Sequence, residues 1–366
     1  MASQAELDAL RHALQLSGRA HGRTSPNPPV GAVVLDAFGA VAGTGRTSPP
    51  GGPHAEVAAL TEAGRRAYGG TLVVTLEPCR HTGRTGPCTS ALLEAGIARV
   101  VVGCADPTAE AGGGAQLLRE AGVDVETGVL AGEVALGPLE AWLTSHTLGR
   151  PFVTWKYAAT LDGRSAAADG TSRWITGEPA RADVHRLRAE ADAVLVGVGT
   201  VLADDPLLDA RGGPDIVQPL RVIVDSHGRT PRNARVLAGQ RPALVALCEG
   251  SAQAGVEDPS RAYPLSLLLP AGSDGRVDLP ALLRELGEHQ VVSVLLEGGP
   301  TLAGAFVAAG LVDRIVGYVA PLLLGDGPCA LTGAGVGTIS AAHRLRLDEV
   351  TRLGADVRLT LRPWRS

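Results

Sequence analysis

The stretch from Gly51 to Cys88 contains Gly51-Gly52-Pro53-His54-Ala55-Glu56-Val57, then Glu77-Pro78-Cys79, then Gly86-Pro87-Cys88. One imidazole and two thiolates suit Zn²⁺, and three protein ligands leave a fourth tetrahedral position open for water. Glu56, two residues after His54, can take a proton from that water and pass it to a leaving amine. The pattern therefore predicts a catalytic zinc site with ligands His54, Cys79 and Cys88 and with Glu56 as proton carrier, which suits hydrolytic deamination.

Two other interpretations fit the same cysteines. A structural zinc site needs four ligands, for which His81 or Cys104 is available. The cysteines can also be buried for unrelated reasons. Neither alternative calls for Glu56, so the catalytic interpretation is preferred.

Composition limits the class of protein. A chain of 366 residues exceeds one ordinary core and predicts two domains. A net charge of −5 gives no electrostatic footprint for nucleic acid, although local arginines can bind a small anion. Five cysteines, an odd number, favour a reducing compartment. We find no signal peptide and no apolar run near the ~18 residues of a membrane span, so we expect a cytoplasmic protein without membrane segments.

Hydrophobic periodicity predicts alternating strands and helices in the first part of the chain. Ser3 and Glu6 form a capping box before a helix with leucines at helical spacing. Strands are predicted over 30–35, 71–76, 99–104 and 123–127, and helices over 54–66, 89–95, 114–121 and 131–148, the last interrupted at Gly137-Pro138. This alternation predicts a layered α/β sheet.

A second alternating series follows Gly149-Arg150-Pro151, so we expect domains at 1–148 and 149–366. Strands are predicted over 152–157, 193–198, 220–225, 242–247, 291–296 and 312–319, and helices over 178–190, 279–287 and 300–309. Lys156 is the only lysine in the chain. Either a compact ammonium is needed there, or one lysine has survived by chance.

The segment Leu296-Glu297-Gly298-Gly299-Pro300-Thr301 lies between a predicted strand and a predicted helix. Glycines there let the backbone approach a ligand closely, and free N–H groups at a helix N-terminus attract phosphate. The segment is not the Gly-x-Gly-x-x-Gly dinucleotide fingerprint. An ordinary strand-to-helix connection is the alternative.

The first domain resembles the deaminases of riboflavin biosynthesis. The matching residues are His54, Ala55, Glu56, Pro78, Cys79, His81, Gly83, Arg84, Thr85, Pro87 and Cys88, with Thr24, Pro26, Asn27, Pro28, Val30 and Gly31 upstream. The resemblance implies a cytidine-deaminase-like three-layer α/β/α fold, Zn²⁺, and 2,5-diamino-6-(5-phosphoribosylamino)pyrimidin-4-one as substrate. It places Asn27 at the pyrimidine edge and His81 and Arg84 at the phosphate, although Asn27 can instead stabilise a turn. Thr108 departs from the family, which has asparagine there.

The second domain resembles the reductases of the same pathway. The resemblance rests on segments 156–164, 172–176 and 199–206 and implies a dihydrofolate-reductase-like α/β fold that binds NADPH and reduces ribose to ribityl. It implies that Lys156 and Glu297 flank the sugar carbon that receives hydride. The other implied substrate residues are Ser172, Arg188, Leu208 and Arg211. The implied cofactor residues are Ala158, Trp174, Thr200, Asp204, Ser226, Gly299, Pro300, Thr301, Leu302, Ala303, Gly304 and Ala305.

Without that resemblance, the same residues have ordinary interpretations. Arg188 and Arg211 can be solvated surface charges, Trp174 can belong to the core, and Asp204-Asp205-Pro206 can be a simple turn. Taken together, the ordered segments imply a bifunctional enzyme that forms homo-oligomers. The alternatives are a zinc deaminase with a non-catalytic nucleotide-binding domain, which NADPH consumption would exclude, and a nucleic-acid base deaminase, which a failure to bind tRNA or single-stranded DNA would exclude.

Overall fold

The structure, a computed structural model, describes residues 1–82, 86–213, 216–250 and 263–364. The chain divides into Met1–Gly149 and Arg150–Ser366, which we term the N-terminal unit and the C-terminal unit. Within the described part of the chain, every helix falls short of the length and apolar character that a bilayer crossing requires.

The N-terminal unit alternates helices and strands around one sheet. Its helices are α1 (Gln4–Gly18), α2 (Ala55–Ala63), α3 (Cys88–Glu94), α4 (Gly114–Glu120), α5 (Ala131–Ala135) and α6 (Glu140–Leu148). Its strands are β1 (Gly31–Leu35), β2 (Val41–Arg46), β3 (Thr71–Leu76), β4 (Arg99–Cys104) and β5 (Asp124–Thr127), in the order β2-β1-β3-β4-β5. Strand β1 pairs antiparallel with β2 and β3, whereas β3, β4 and β5 run parallel.

Two glycines bring α1 and α2 against the backbone of this sheet. A Cβ atom on Gly31 would lie 1.9 Å from the carbonyl oxygen of Ala13 in α1, and one on Gly45 would lie 2.0 Å from that of Ala55 in α2. Gly45 pairs with Ala32, the neighbour of Gly31, so the two glycines face opposite sides of the sheet. The two helices therefore cover opposite faces, as a three-layer fold requires.

The predicted start of α1 is confirmed. Ser3 Oγ accepts a hydrogen bond from the N–H of Glu6 at 3.3 Å, and the Glu6 carboxylate accepts one from the N–H of Ser3 at 2.6 Å. The predicted interruption at Gly137-Pro138 also falls between α5 and α6. The prediction that His54 lies in the first turn of α2 is wrong, because His54 is the residue before that helix and has extended backbone angles.

The C-terminal unit is built on a larger sheet. Its helices are α7 (Glu178–Glu190), α8 (Val198–Asp204), α9 (Leu279–Glu288) and α10 (Pro300–Ala308). Its strands are β6 (Phe152–Thr160), β7 (Ala193–Gly197), β8 (Leu220–Val224), β9 (Ala243–Cys248), β10 (Leu265–Leu269), β11 (Ser293–Leu296), β12 (Arg314–Ala320), β13 (Leu345–Leu353) and β14 (Asp356–Pro363). Among the described residues the strand order is β10-β9-β8-β7-β11-β6-β12-β14-β13.

The strands from β10 to β12 in that order are parallel, and β14 and β13 add an antiparallel edge. Helices α9 and α10 bury Leu282, Leu286 and Phe306 against the parallel strands. Parallel strands end at the same edge of the sheet, and ligands of open α/β sheets bind at that edge. The carboxyl ends of β7, β8 and β11 therefore mark where a ligand is expected.

Candidate active sites

The N-terminal unit brings one histidine and two cysteines together. His54 Nδ1 lies 3.2 Å from Cys88 Sγ and 3.6 Å from Cys79 Sγ, and all three ligand atoms lie within 4.8 Å of one another. His54 precedes α2, Cys79 follows β3, and Cys88 opens α3. One nitrogen and two sulfur donors at this spacing fit a zinc ion.

The ligand group stops at three members in the part of the chain that the structure describes. Cys104, a possible fourth ligand, is half-buried, and its thiol points to the carbonyl oxygen of Ala131 at 3.7 Å. His81, the other candidate, is likewise outside the group. A closed four-ligand structural site therefore finds no support in these residues.

Glu56 lies beside the cluster without belonging to it. Its side chain is buried in the first turn of α2. Burial is the main reason that the pKa of Glu56 is raised to about 7; Cys79 acts in the same direction, whereas a backbone hydrogen bond and His54 oppose the shift. A carboxyl group that titrates near neutrality can both accept and release a proton.

Glu77 stabilises the backbone around this site, a role that its sequence context did not predict. Its buried carboxylate accepts backbone hydrogen bonds from Asp106 at 3.1 Å, Gly113 at 3.2 Å and Ala115 at 2.8 Å. These bonds tie the start of α4 and the loop before it to the residue that precedes Pro78 and Cys79. The available signal was an acidic residue at the end of an otherwise apolar strand.

The other predicted residues of this site differ in what the structure shows. The N–H of Asn27 closes a turn to Thr24 O at 2.8 Å. The Nδ1 atom of His81 is buried and has no hydrogen-bond partner among the described residues. Thr108 uses its hydroxyl for a bond to Asp106 Oδ1 at 2.6 Å. Arg84 lies outside the described residues.

The C-terminal unit contains a cleft of about 1530 Å³ at the expected edge of its sheet. The predicted residues that line it are Lys156, Ala158, Ser172, Trp174, Arg188, Thr200, Asp204, Leu208, Arg211, Ser226, Glu297, Gly299, Pro300, Thr301, Leu302 and Ala305. Two predicted residues do not line it. Ala303 is completely buried in the core, and a Cβ atom on Gly304 would lie 1.7 Å from the backbone oxygen of Thr332. These two residues occupy the side of α10 that packs against protein, so they are not cleft residues.

A buried carboxylate lies at the centre of the cleft. Glu297 accepts hydrogen bonds from Arg188 Nε at 2.5 Å and Arg188 Nη2 at 2.9 Å, and Lys156 Nζ lies 3.7 Å from its Oε2. Burial favours the neutral acid, but the charges of Arg188 and then Lys156 outweigh it and lower the pKa of Glu297 to about 2. Burial also lowers the pKa of Lys156, against the attraction of Glu297. The site thus holds a carboxylate between two cations.

Arg188 is bound within the protein through three of its five N–H groups. Its Nη1 donates to the carbonyl oxygen of Asp209 at 3.0 Å, so every nitrogen of the guanidinium is engaged. Arg211 is different, because its side chain is 61% exposed and its ion pair among the described residues is with the partly exposed Asp209 carboxylate at 3.1 Å. Exposed pairs contribute little, so Arg211 can turn towards a ligand at small cost.

His185 also lines the cleft, and the sequence analysis did not single it out. Its Nδ1 contacts Asp209 O at 3.1 Å, the carbonyl that also accepts from Arg188. Because a carbonyl only accepts, Nδ1 carries the proton and Nε2 is left as an acceptor in the neutral ring. His185 precedes Arg188 by three positions in α7, so both lie on the same face of the helix. This spacing is the signal that could have identified His185.

The turn between β11 and α10 is shaped for close ligand approach. Gly298 has a φ of 102°, which favours glycine, and its carbonyl accepts from the N–H of Gly197 at 2.9 Å. Pro300 opens α10, so the free N–H groups of that helix start beside Thr200. Trp174, considered above as a core residue, is 68% exposed, and Arg181 lies over its ring at 4.5 Å from the centroid.

Comparisons with known proteins match both units of the chain. Residues 3–104 match the cytidine and deoxycytidylate deaminase zinc-binding region, and residues 151–359 match the RibD C-terminal domain. The riboflavin biosynthesis protein RibD of Mycobacterium tuberculosis (strain H37Rv) is 47% identical over 97% of this chain and 96% of its own length, and that of Escherichia coli K12 is 40% identical over 96% and 98%.

Solved structures agree as well. Acinetobacter baumannii RibD, form 1, has a TM-score of 0.88 at 38% identity over 99% of both chains. A Thermotoga maritima diaminohydroxyphosphoribosylaminopyrimidine deaminase/5-amino-6-(5-phosphoribosylamino)uracil reductase has a TM-score of 0.85 at 34% identity over 98% of this chain and 99% of its own. The predicted fold classes, a deaminase-like domain followed by a reductase domain, are confirmed.

Proposed function

The chain belongs to the RibD family of riboflavin biosynthesis proteins, and from that membership we propose how its own residues perform the two reactions. It is a zinc-dependent deaminase of 2,5-diamino-6-(5-phosphoribosylamino)pyrimidin-4-one joined to an NADPH-dependent reductase of the deaminated product. The reduced product is 5-amino-6-(5-phosphoribitylamino)uracil. The alternative of a non-catalytic second domain is not favoured, because full-length relatives and the match over residues 151–359 both include the reductase.

For the deaminase, we assign the metal to His54, Cys79 and Cys88 and the proton transfer to Glu56. Zinc, when bound there, supplies the Lewis acidity that makes water nucleophilic at neutral pH. Glu56 removes a proton from the attacking water and delivers it to the departing ammonia, which its pKa of about 7 permits in both directions. The observation that carries this proposal is the buried carboxyl group beside three converging ligand atoms.

The substrate contacts of the deaminase are also proposals. Asn27 would offer its amide to the pyrimidine edge. His81 would hold the phosphate with Arg84, and the buried Nδ1 of His81, which has no partner among the described residues, supports a ligand there.

For the reductase, we propose that Lys156 and Glu297 flank the sugar carbon. NADPH supplies the hydride, and the protein supplies orientation and charge. Lys156 would donate to a sugar oxygen and assist ring opening, while Glu297 keeps the ammonium in place. Arg188 would orient Glu297 through Nε and Nη2, and its remaining N–H groups would share the 5′-phosphate with Arg211.

Other residues would complete the pocket. Ser172 and Leu208 would contact the substrate. The dinucleotide would lie along Ala158, Trp174, Thr200, Asp204, Ser226, Gly299, Pro300, Thr301, Leu302 and Ala305, with its pyrophosphate at the start of α10.

We further propose a homo-oligomer in the cytoplasm. The edge strand β13 exposes Leu345, Leu347 and Val350, with 42%, 54% and 58% of each residue accessible, and such an edge favours association with another copy. All five cysteines are free, as suits a reducing compartment. Light scattering of the native protein tests the first point, because a monomer would contradict it.

A coupled assay tests the proposed function. Metal-replete protein receives the diaminopyrimidine phosphate and NADPH, and both ammonia release and nicotinamide absorbance are followed. Equal release of ammonia and loss of NADPH is expected. Ammonia release without NADPH loss would contradict the reductase activity. The absence of both signals, from protein with confirmed zinc, would contradict the substrate assignment.

A further inference from the structure

One end of the reductase cleft carries arginines that the proposed function does not use. Arg229 and Arg276 both line the cleft together with Ser226 and His227, and both arginines are exposed. An exposed arginine is usually a solvated surface charge. Here, however, two arginines line the same ligand cleft, where they can meet an anionic group of a ligand.

The sheet sets their distance from the reacting end of the cofactor. Lys156 belongs to β6, and Ser226 follows β8. In the strand order β8-β7-β11-β6 the strands β8 and β6 are three inter-strand steps, about 14 Å, apart. The start of α10, proposed for the pyrophosphate, follows the strand β11 between them. A dinucleotide with its nicotinamide at Lys156 and its pyrophosphate at Gly299 therefore has its adenosine near the end of β8.

The loop that carries Arg229 is firmly built. Asp225 is completely buried, and its Oδ2 accepts from the N–H and the hydroxyl of Thr230 at 2.6 and 2.7 Å. Tyr263 donates its hydroxyl to Thr230 O at 3.0 Å. Arg229 Nε lies 4.0 Å from Asp225 Oδ1, and the residue lines the cleft.

The segment of Arg276 is tied to the same loop. The N–H of Val277 donates to Ser226 Oγ at 3.0 Å, which fixes Arg276 next to the end of β8. Arg276 pairs with Asp274 at 3.9 Å, and both side chains are more than half exposed. Such a pair is weak, and Arg276 can exchange Asp274 for a stronger anion at small cost.

We propose that Arg229, assisted by Arg276, binds the 2′-phosphate of NADPH and makes this reductase prefer NADPH to NADH. The inference rests on the proposed function because it takes the position of the nicotinamide from Lys156 and Glu297. A phosphate dianion matches the planar, two-pronged donor geometry of guanidinium. NADH presents hydroxyl instead of phosphate at this point, so it gains nothing from these cations.

Binding of adenosine fragments to the full chain tests the proposal directly. Calorimetry compares 2′,5′-ADP with 5′-AMP for the native protein, Arg229→Gln, and the control Arg232→Gln, whose exposed side chain does not line the cleft. The native protein and the control should prefer 2′,5′-ADP, and Arg229→Gln should lose about tenfold or more of that preference while it binds 5′-AMP normally. In the reductase assay, the KM for NADPH should rise and that for NADH should not.

Several results would overturn the proposal. An unchanged preference for 2′,5′-ADP in Arg229→Gln would do so. An equal loss of affinity for both fragments would also do so, because the arginine would then stabilise the loop rather than bind the phosphate. If Arg229→Gln does not fold, Arg276→Gln should have a reduced preference for 2′,5′-ADP over 5′-AMP. An Arg276→Gln protein with the same preference as the native protein contradicts the proposal. The proposal is also overturned if native protein binds NADPH but has equal affinity for the two fragments. If native protein neither binds nor oxidises NADPH, the result contradicts the proposed reductase function instead.

Discussion

Lys156 Nζ lies 3.7 Å from Glu297 Oε2 inside the reductase cleft, and the two side chains are only 15% and 6% exposed. The two residues come from neighbouring parallel strands, β6 and the end of β11. A lysine in such a place is costly unless a carboxylate holds its charge. Removing either partner should therefore be costly to the reductase, because it leaves the other charge buried and less well paired.

Replacing Lys156 by methionine should abolish reduction selectively. The substitution keeps the length of the side chain and removes the ammonium, so loss of acid assistance should slow reduction about 10²- to 10⁴-fold. Ammonia release by the same protein is the internal control and should be unchanged. Reduction of purified deaminated intermediate at the native rate would remove Lys156 from the mechanism.

Replacing Glu297 by glutamine should destabilise the C-terminal unit in a pH-dependent manner. The pKa of Glu297 is lowered from 4.5 to about 2, so its contribution is fully present above pH 4.5 and is lost as the pH falls towards 2. A shift of this size corresponds to roughly 3 kcal/mol at neutral pH. Urea unfolding monitored by hydrogen exchange in β11 measures it, and the native and substituted proteins should converge below pH 4.5. A difference that stays constant over that range would contradict the ion-pair account.

Replacing Glu56 by glutamine should separate proton transfer from metal binding. Deamination should fall about 10²- to 10⁴-fold because the amide cannot carry a proton. Zinc content should remain unchanged, since Glu56 lies outside the ligand group. The control is Glu62→Gln on the exposed side of the same helix, which should deaminate normally. Loss of zinc from Glu56→Gln would show instead that Glu56 is a ligand.

Cys88 and Cys104, two of the three cysteines of the N-terminal unit, offer a matched test of the metal site. Cys88→Ser should lose zinc and ammonia release, because a hydroxyl is a poor substitute for a thiolate ligand. Cys104→Ser should retain both, because its thiol lies outside the group and contacts only a backbone carbonyl in the described structure. Metal analysis and the ammonia assay report both outcomes. Equal zinc loss from the two variants would reopen the four-ligand interpretation.

Removing the Glu77 carboxylate should loosen the support of the zinc site. Glu77→Ala leaves three backbone N–H groups without their acceptor, a cost of about 1–3 kcal/mol for each group that stays buried. The free energy of unfolding of the N-terminal unit, measured in urea, should fall accordingly. The exposed Glu110→Ala in the same loop is the control and should change it little.

The sequence predicted elements well where local chemistry determines them. The capping box of Ser3 and Glu6 and the fully buried run of β7 are examples, because each depends on neighbours along the chain. The hairpin of β13 and β14 was not predicted, since β13 is mostly exposed and its charged residues obscure the alternation. The zinc ligands could be identified from residue type and spacing.

The organisation of the reductase site could not be identified in that way. Arg188 and Glu297 are separated by 109 positions, and neither residue's local sequence indicates that one occupies the other. The resemblance implied that Arg188 contacts the substrate, and the structure adds that three of its N–H groups are bound within the protein. Only the pairing of distant strands and helices determines such a partner.

The contact between α2 and Gly45 has a consequence for how the zinc site tolerates divergence. At this contact the backbone of α2 packs against the backbone of the sheet. Backbone atoms are the same in every sequence, so they set the distance between the sheet and the start of α2. That start carries Glu56 and follows His54. Side chains elsewhere in the layer can then be exchanged without moving the ligand. Divergence around this contact can therefore leave the metal geometry of this chain fixed, provided that Gly45 stays.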